Sequence, residues 1–203
     1  MTLLYAATQF LAHDTGSHPE CAARLEAVSD HLHRTGLAEQ CDRPRWKPAT
    51  RETMLGVHSQ EHLELLGRLD ARGGGVLDAD TVMSDSSWQV AQLAAGAACD
   101  AVRQVVSDRA RNALCLVRPP GHHALANRAM GFCLLNNVAI AARFATAHCG
   151  MDRVLIVDWD VHHGNGTQEI CYNDSQIAFL SIHRWPFYPG TGSADETGSG
   201  AGL

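Results

Sequence analysis

Val154-Leu155-Ile156-Val157-Asp158-Trp159-Asp160-Val161-His162-His163-Gly164 sets an apolar run directly against two carboxylates and two imidazoles. A short, largely β-branched run of this kind predicts a buried strand. In an extended chain, side chains alternate, which would put Asp158, Asp160 and His162 on one side. A carboxylate oxygen and an imidazole nitrogen two residues apart make a compact half-site for a metal with the ligand preferences of zinc. A lone D-x-H is more often a capped strand end. Two carboxylates and two adjacent histidines are another matter, because burying them without a metal or paired charges is costly.

Working outward, residues 114–117 form a second apolar run that stops at Arg118-Pro119-Pro120-Gly121, a rigid turn that carries His122 and His123. A third run, 177–182, leads into His183-Arg184-Trp185. Residues 136–148 have a helical pattern between the first two strands. Continuous apolar strands separated by helices predict an α/β fold, a mainly parallel sheet covered on both faces in three layers. Ligands of such sheets bind beyond the carboxyl ends of the strands, where these histidines and aspartates stand.

Upstream, residues 3–8 predict a first strand. A helix is expected from Pro19 towards Gly36, one over 60–69 capped by Ser59, and a long alanine-rich one over 86–106. Residues 71–75 are expected to be a glycine-rich break and 77–84 a polar loop. No repeat or linker divides the 203 residues, which suit a single α/β domain.

Hydrophobic residues at 45% and a formal charge of −6 fit an ordinary globular chain with no broad attraction to nucleic acid or anionic membranes. The seven cysteines are scattered and include no C-x-x-C pair, which argues against disulfides and a cysteine zinc site. The first residues carry no basic segment or cleavage pattern of a secretory signal, and no apolar run approaches a membrane span. A cytoplasmic location is expected.

RPPGHHA (118–124), GFCLLNNVAIAA (131–142), VLIVDWDVHHGNGTQ (154–168) and SIHRWPFYPGTG (181–192) together resemble consecutive blocks of the histone deacetylase superfamily. HDTGSHPECAARL (13–25) and LDADTVMSDSS (77–87) resemble its earlier blocks. Trp159 and Asn165 are closer to the class II and bacterial branch, class I usually carrying Asp at the Asn165 position. The resemblance implies an arginase/deacetylase-like fold and a zinc-dependent amide hydrolase acting on acetyl-lysine. Asp160 and His162 match two zinc ligands. His123 matches a general base, His122 its electrostatic partner, and Asp158 the carboxylate that pairs with His122 and helps bind potassium. Ser181 and the carbonyls of Asp158, Asp160, His162 and Ile182 match the rest of the potassium site. Phe132, with Gly131 before it, and Tyr188 match the acyl-lysine tunnel, and Asp80 a rim acid that holds the substrate backbone.

Arginase-type two-manganese enzymes use D-x-H-x-D at this strand end. Gly164 stands at the last of those positions here, so one catalytic metal is expected. In the family, a third ligand, an Asp, and a carbonyl-polarising Tyr or His lie further downstream than Leu203. Residues 1–203 are therefore expected to be the N-terminal portion of a single deacetylase domain, incomplete at its C-terminal side. The substrate implied by the resemblance is an acetylated protein or, alternatively, an acetylpolyamine or other small acetylated amine. A catalytically inactive acyl-lysine binder is the rival from another class.

Overall fold

The computed structural model describes residues 1–202. In chain order the elements are β1 (Thr2–Ala6), α1 (Ala22–Arg34), β2 (Cys41–Asp42), α2 (Arg51–Leu55), α3 (Gln60–Asp70), β3 (Gly74–Asp78), β4 (Thr81–Ser84), α4 (Ser87–Val106), β5 (Asn112–Leu116), α5 (Asn137–His148), β6 (Val154–Asp158), α6 (Asn165–Cys171) and β7 (Ile177–Ser181).

Three of the helices begin where a side chain satisfies a free backbone amide. Thr50 accepts from Thr53 N at α2, Ser59 from His62 N at α3 and Asn136 from Ala139 N at α5. At α4 the expected serine cap is absent. Ser87 instead turns its hydroxyl back to accept from Ser84 N at 2.7 Å, which ties the helix to β4. The small residues of α4 let its neighbours approach closely. Ala97 and Ala101 pack beneath Leu3 and Tyr5 of β1, while a Cβ at Gly96 would stand 2.1 Å from the Lys47 carbonyl. Tyr5 also donates to Asp100 Oδ2 of α4 at 2.7 Å, so its buried hydroxyl keeps a partner.

The parallel strands fall into two pieces, β2-β1-β5 and β6-β7. In the second piece Asp158 is the register partner of Ser181, at the carboxyl end. Among the described residues β5 and β6 are not paired with each other. A cleft of about 380 Å³ lies between Pro120–His122 and Ile156–Asp160, and the buried Asn137 Oδ1, without a hydrogen-bond partner, belongs to a residue of its wall.

The expectation of sheets covered on both faces holds for β1, whose Leu3, Leu4 and Tyr5 are all buried, but not for β6 and β7. Ile156 and Ile177 are buried with Ala142 and Cys171, whereas Leu155 is 62% and Leu180 50% exposed. Helices α5 and α6 pack on one face only, so the alternate residues of both strands are left outward. A second correction concerns residues 71–84. The glycine-rich break and polar loop are an antiparallel hairpin, β3-β4, with Gly74 opposite Ser84. No helix among the described residues is long and apolar enough to cross a membrane.

Candidate functional site

The loop from Val117 to Asn136 carries both central histidines, and its first charged residue is locked in place. Arg118 is buried and donates twice to Glu20, from Nε to Oε1 at 2.6 Å and from Nη2 to Oε2 at 2.9 Å. Its remaining donors reach the carbonyls of Phe10 (3.1 Å) and His13 (2.9 Å). The guanidinium thus pins the β5 end to the segment after β1, with its charge paired and four of its five N–H donors used.

Across the cleft, β6 stops at Asp158, and the residues after it bend. Strand alternation therefore does not bring Asp158, Asp160 and His162 together, contrary to the expectation from spacing. Two successive aspartate turns link them instead, and only Asp160 and His162 reach the same cavity wall. Asp158 Oδ1 accepts from Asp160 N at 3.0 Å, and Asp160 Oδ1 accepts from His162 N at 2.8 Å. The other oxygen of Asp158 meets His122 Nδ1 at 2.8 Å, and His123 Nδ1 meets Asn165 Oδ1 at 2.7 Å. An amide oxygen only accepts, so Nδ1 of His123 carries the proton and Nε2 is bare. The two imidazoles lie 4.0 Å apart between ring centres.

Burial, then the neighbouring His122, lowers the pKa of His123 to about 4, so the ring is neutral at physiological pH. Asp158 is shifted down. Burial alone would raise it, but the hydrogen bond and charge of His122 outweigh that. Tyr188 is pushed up to about 12, by burial first and then by Asp80 and Asp78, and so keeps its phenol proton.

One cavity of about 440 Å³ gathers these groups. His122, His123, Asp160 and His162 lie on its wall with Gly131, Phe132, Tyr188 and Asp80. The Tyr188 ring meets His123 edge-on at 5.1 Å. Phe132, at φ +70°, meets His18 edge-on at 4.4 Å. Gly131 is fixed by its surroundings, since a Cβ there would lie 2.4 Å from the His123 ring. Asp158, Ser181 and Ile182 are not on this wall. They meet at the sheet end, where Ile182 N donates to Asp158 O at 2.9 Å and Ser181 Oγ pairs with His183 Nδ1 at 2.8 Å.

Sequence reasoning missed Glu20 and Arg24, which also line the cavity, and Phe187, stacked on His162 at 5.3 Å. Asn165 was legible as a branch marker but not as the partner of His123. A larger hollow of about 590 Å³, beside α1 and the ends of β1 and β5, holds Glu26, Asp30, His33 and Arg43. It brings together no histidine pair and no aspartate turn, so the chemistry belongs to the smaller cavity.

Asp160 Oδ1 and His162 Nδ1 are 3.0 Å apart. Two donors at zinc-ligand distances on a tetrahedral ion are about 3.3 Å apart, so this pair suits two corners of such a site. Among the described residues no group of three His, Cys, Asp or Glu is placed to hold a metal ion.

This arrangement of paired histidines and aspartate turns has counterparts among known proteins. The model of the histone deacetylase domain matches residues 18–203. The chain belongs to the histone deacetylase family. It is 46% identical to an uncharacterised protein of Synechocystis, with 98% of this chain and 66% of that protein covered. It is 40% identical to a probable deacetylase of Archaeoglobus fulgidus (96% and 54% covered) and 38% identical to human histone deacetylase 7 (93% and 23% covered). The crystal structure of the HDA15 HD domain superposes with a TM-score of 0.94 at 39% identity, with 98% of this chain and 59% of that one covered. The chain thus spans less than two thirds of the length of each of these relatives. Its α/β architecture with parallel strands is that of the deacetylase fold.

Proposed function

We propose that the protein hydrolyses the amide of an acetylated lysine, or of a small acetylated amine, through a water activated in the 440 Å³ cavity. The observation that carries this reading is His123, neutral, aimed by Asn165 and facing the Asp160–His162 pair with Nε2 free to accept a proton. Asp160 and His162 would hold a zinc ion. When bound, such an ion polarises the amide carbonyl and acidifies a water.

The rest is work for the chain's own residues. Phe132 and Tyr188 flank the acylated alkyl chain and exclude bulk water, with Asp80 at the mouth. His123 Nε2 takes the proton of the attacking water as the C–O bond forms. It returns that proton to the amine nitrogen as the C–N bond breaks, and the carboxyl proton passes to the freed amine, leaving acetate and an ammonium. Asp158, held ionised, fixes the Nδ1 proton of His122 and offsets the positive charge that appears on the adjoining His123 ring. Asp158, Ser181 and the Ile182 carbonyl are the proposed potassium site. A reducing compartment such as the cytoplasm suits the chain, since all seven cysteines are free and burial pushes the Cys99 and Cys115 thiols up to about 12.

The test is turnover of an acetyl-lysine peptide and of an acetylated polyamine by the native gene product supplied with zinc. His123→Ala should reduce turnover by at least about a hundredfold. A zinc-loaded protein that leaves both substrates intact would end the hydrolase reading and leave an acyl-lysine binder.

A further inference from the structure

The loop that bears the two histidines is gripped by its own carbonyls. Pro119 O accepts from Asn137 Nδ2 at 3.1 Å, His122 O from Thr167 N at 3.1 Å and Ala124 O from Asn136 Nδ2 at 3.1 Å. Leu125 O accepts from His58 Nδ1 at 3.0 Å, and Ala126 O from Ser59 N at 2.7 Å. These donors come from the start of α5, from α6 and from the turn before α3. Three elements therefore converge on one irregular segment.

Asn136 stands at the centre of this arrangement. Its backbone N–H donates to His58 Nε2 at 2.9 Å, and its Nδ2 also reaches Thr167 Oγ1 at 3.1 Å. Its Oδ1 caps α5 through Ala139 N. His58 is consequently held in one tautomer, donating at Nδ1 and accepting at Nε2. His58 is 2% exposed, Asn136 and Thr167 are fully buried, and none of the three lines the cavity. There is no slack beside them. A Cβ at Gly166 would stand 2.3 Å from the Ala124 carbonyl, and one at Gly121 would stand 2.6 Å from Asn137 N.

We propose that His58, Asn136 and Thr167 form a clasp of positioning residues that sets the place of His122 and His123 for the reaction. The inference rests on the proposed hydrolase reading and deepens it. The clasp acts on the carbonyls of His122, Ala124 and Leu125, so its loss moves the imidazoles without touching substrate. Displacing a catalytic group by about 1 Å lowers turnover by up to about a hundredfold while leaving binding contacts in place.

Thr167→Val and Asn136→Asp in the native gene product test this with an acetyl-lysine peptide. Thr167→Val keeps the shape and the backbone bond to His122 but removes the acceptor for Asn136, and Asn136→Asp removes both Nδ2 donors. Turnover (kcat) is expected to fall about tenfold in each, with KM within about twofold, and Thr167→Ser should restore kcat. Val90→Ala, in the separate cluster with Phe10 and Ala94, serves as the control. It should lower Tm comparably while kcat per folded molecule stays unchanged. If Asn136→Asp does not fold, the Thr167 pair decides alone.

A second readout does not depend on activity. The proton between His122 Nδ1 and Asp158 Oδ2 should give a far-downfield NMR signal, shifted in Thr167→Val and restored in Thr167→Ser. If the parent protein hydrolyses nothing, the hydrolase reading fails, and this signal still judges the clasp. A Thr167→Val protein whose signal is unmoved, or whose kcat stays within about twofold of the parent, would overturn it.

Discussion

The Glu20–Arg118 pair offers the sharpest test of how the histidine loop is anchored. Arg118 is 3% exposed and Glu20 1%, and the guanidinium holds the carboxylate through two bonds and the carbonyls of Phe10 and His13 through two more. Replacing Glu20 by Met leaves a buried guanidinium without a counter-charge, which destabilises by about 3–5 kcal/mol. Replacing Arg118 by Met strands the carboxylate, with only His13 Nε2 near it at 3.7 Å, and leaves two carbonyls without donors. That loss should be the larger, since each orphaned carbonyl adds about 1–3 kcal/mol. In the double variant both charges are gone and only the two carbonyls suffer, for about 2–6 kcal/mol. The two single effects should therefore overestimate the double by several kcal/mol. Urea unfolding at neutral pH, followed by far-ultraviolet circular dichroism, measures all three. Against a domain stability of about 5–15 kcal/mol, the Glu20→Met and double-variant losses are measurable, while Arg118→Met takes most or all of it and should leave the chain largely unfolded. If Glu20→Met loses less than about 1 kcal/mol, or if the single effects simply add, the pair is not the buried, mutually dependent anchor described here.

Other outcomes follow from the same geometry. His13 and His58 are held neutral, each lowered from 6.5 to about 4 chiefly by burial. Below pH 6.5 the unfolded chain binds protons that the folded one refuses, so stability should be constant above that pH and fall as pH drops towards 4. The fall should be up to roughly 3 kcal/mol per histidine; a flat profile of unfolding free energy between these limits would contradict it. Asn165→Ala frees the tautomer of His123 and should lower kcat by about tenfold or more with little change in KM, measured by steady-state kinetics. Asp160→Ala and His162→Ala should each weaken zinc retention by far more than Asp80→Ala, as read by metal analysis after dialysis. Equal zinc content in all three would overturn the proposed zinc-binding role of Asp160 and His162. With Leu155, Leu180 and Ile182 at least half exposed on β6–β7 and just after β7, the 203-residue chain alone should enhance the fluorescence of an apolar dye, and Leu180→Lys should reduce it. No enhancement by the parent chain would mean that this face is covered.

Much of the fold was legible because local and global signals agree in it. Ser59 stands where a cap is needed, and the apolar runs at β5, β6 and β7 carry no competing helical pattern. The β3–β4 hairpin was hidden because its glycines read as punctuation. Gly74, at φ +113°, is required inside the strand, since a Cβ there would lie 2.2 Å from the Met83 carbonyl. The sequence marks the need for glycine but not whether a turn or a close cross-strand approach creates it. Helix α6 was missed for a different reason. Its seven residues are too few to display a period, and Gly166 within it is dictated by the Ala124 carbonyl rather than by helix propensity.

The candidate site shows how one sequence pattern can be built on two backbone geometries. Spacing put Asp158, Asp160 and His162 on one side of a strand, yet the strand ends at the first of them. They are linked instead by aspartate side chains that accept from the backbone two residues on, twice in succession. An alternating D-x-D-x-H is therefore compatible with two backbones, and the two make different demands. On a strand, Asp158 would need nothing but its own alternation. In the turns it has two duties, Oδ1 shaping the bend and Oδ2 orienting His122. Asp158→Asn tests that difference, because the amide keeps one acceptor for Asp160 N but loses the charge opposite His122. The bend, and with it any retention of the zinc proposed for Asp160 and His162, should survive while turnover falls by about tenfold or more. Loss of zinc together with turnover would instead mean that the charge of Asp158, and not its hydrogen bond, holds the metal-side turn in shape.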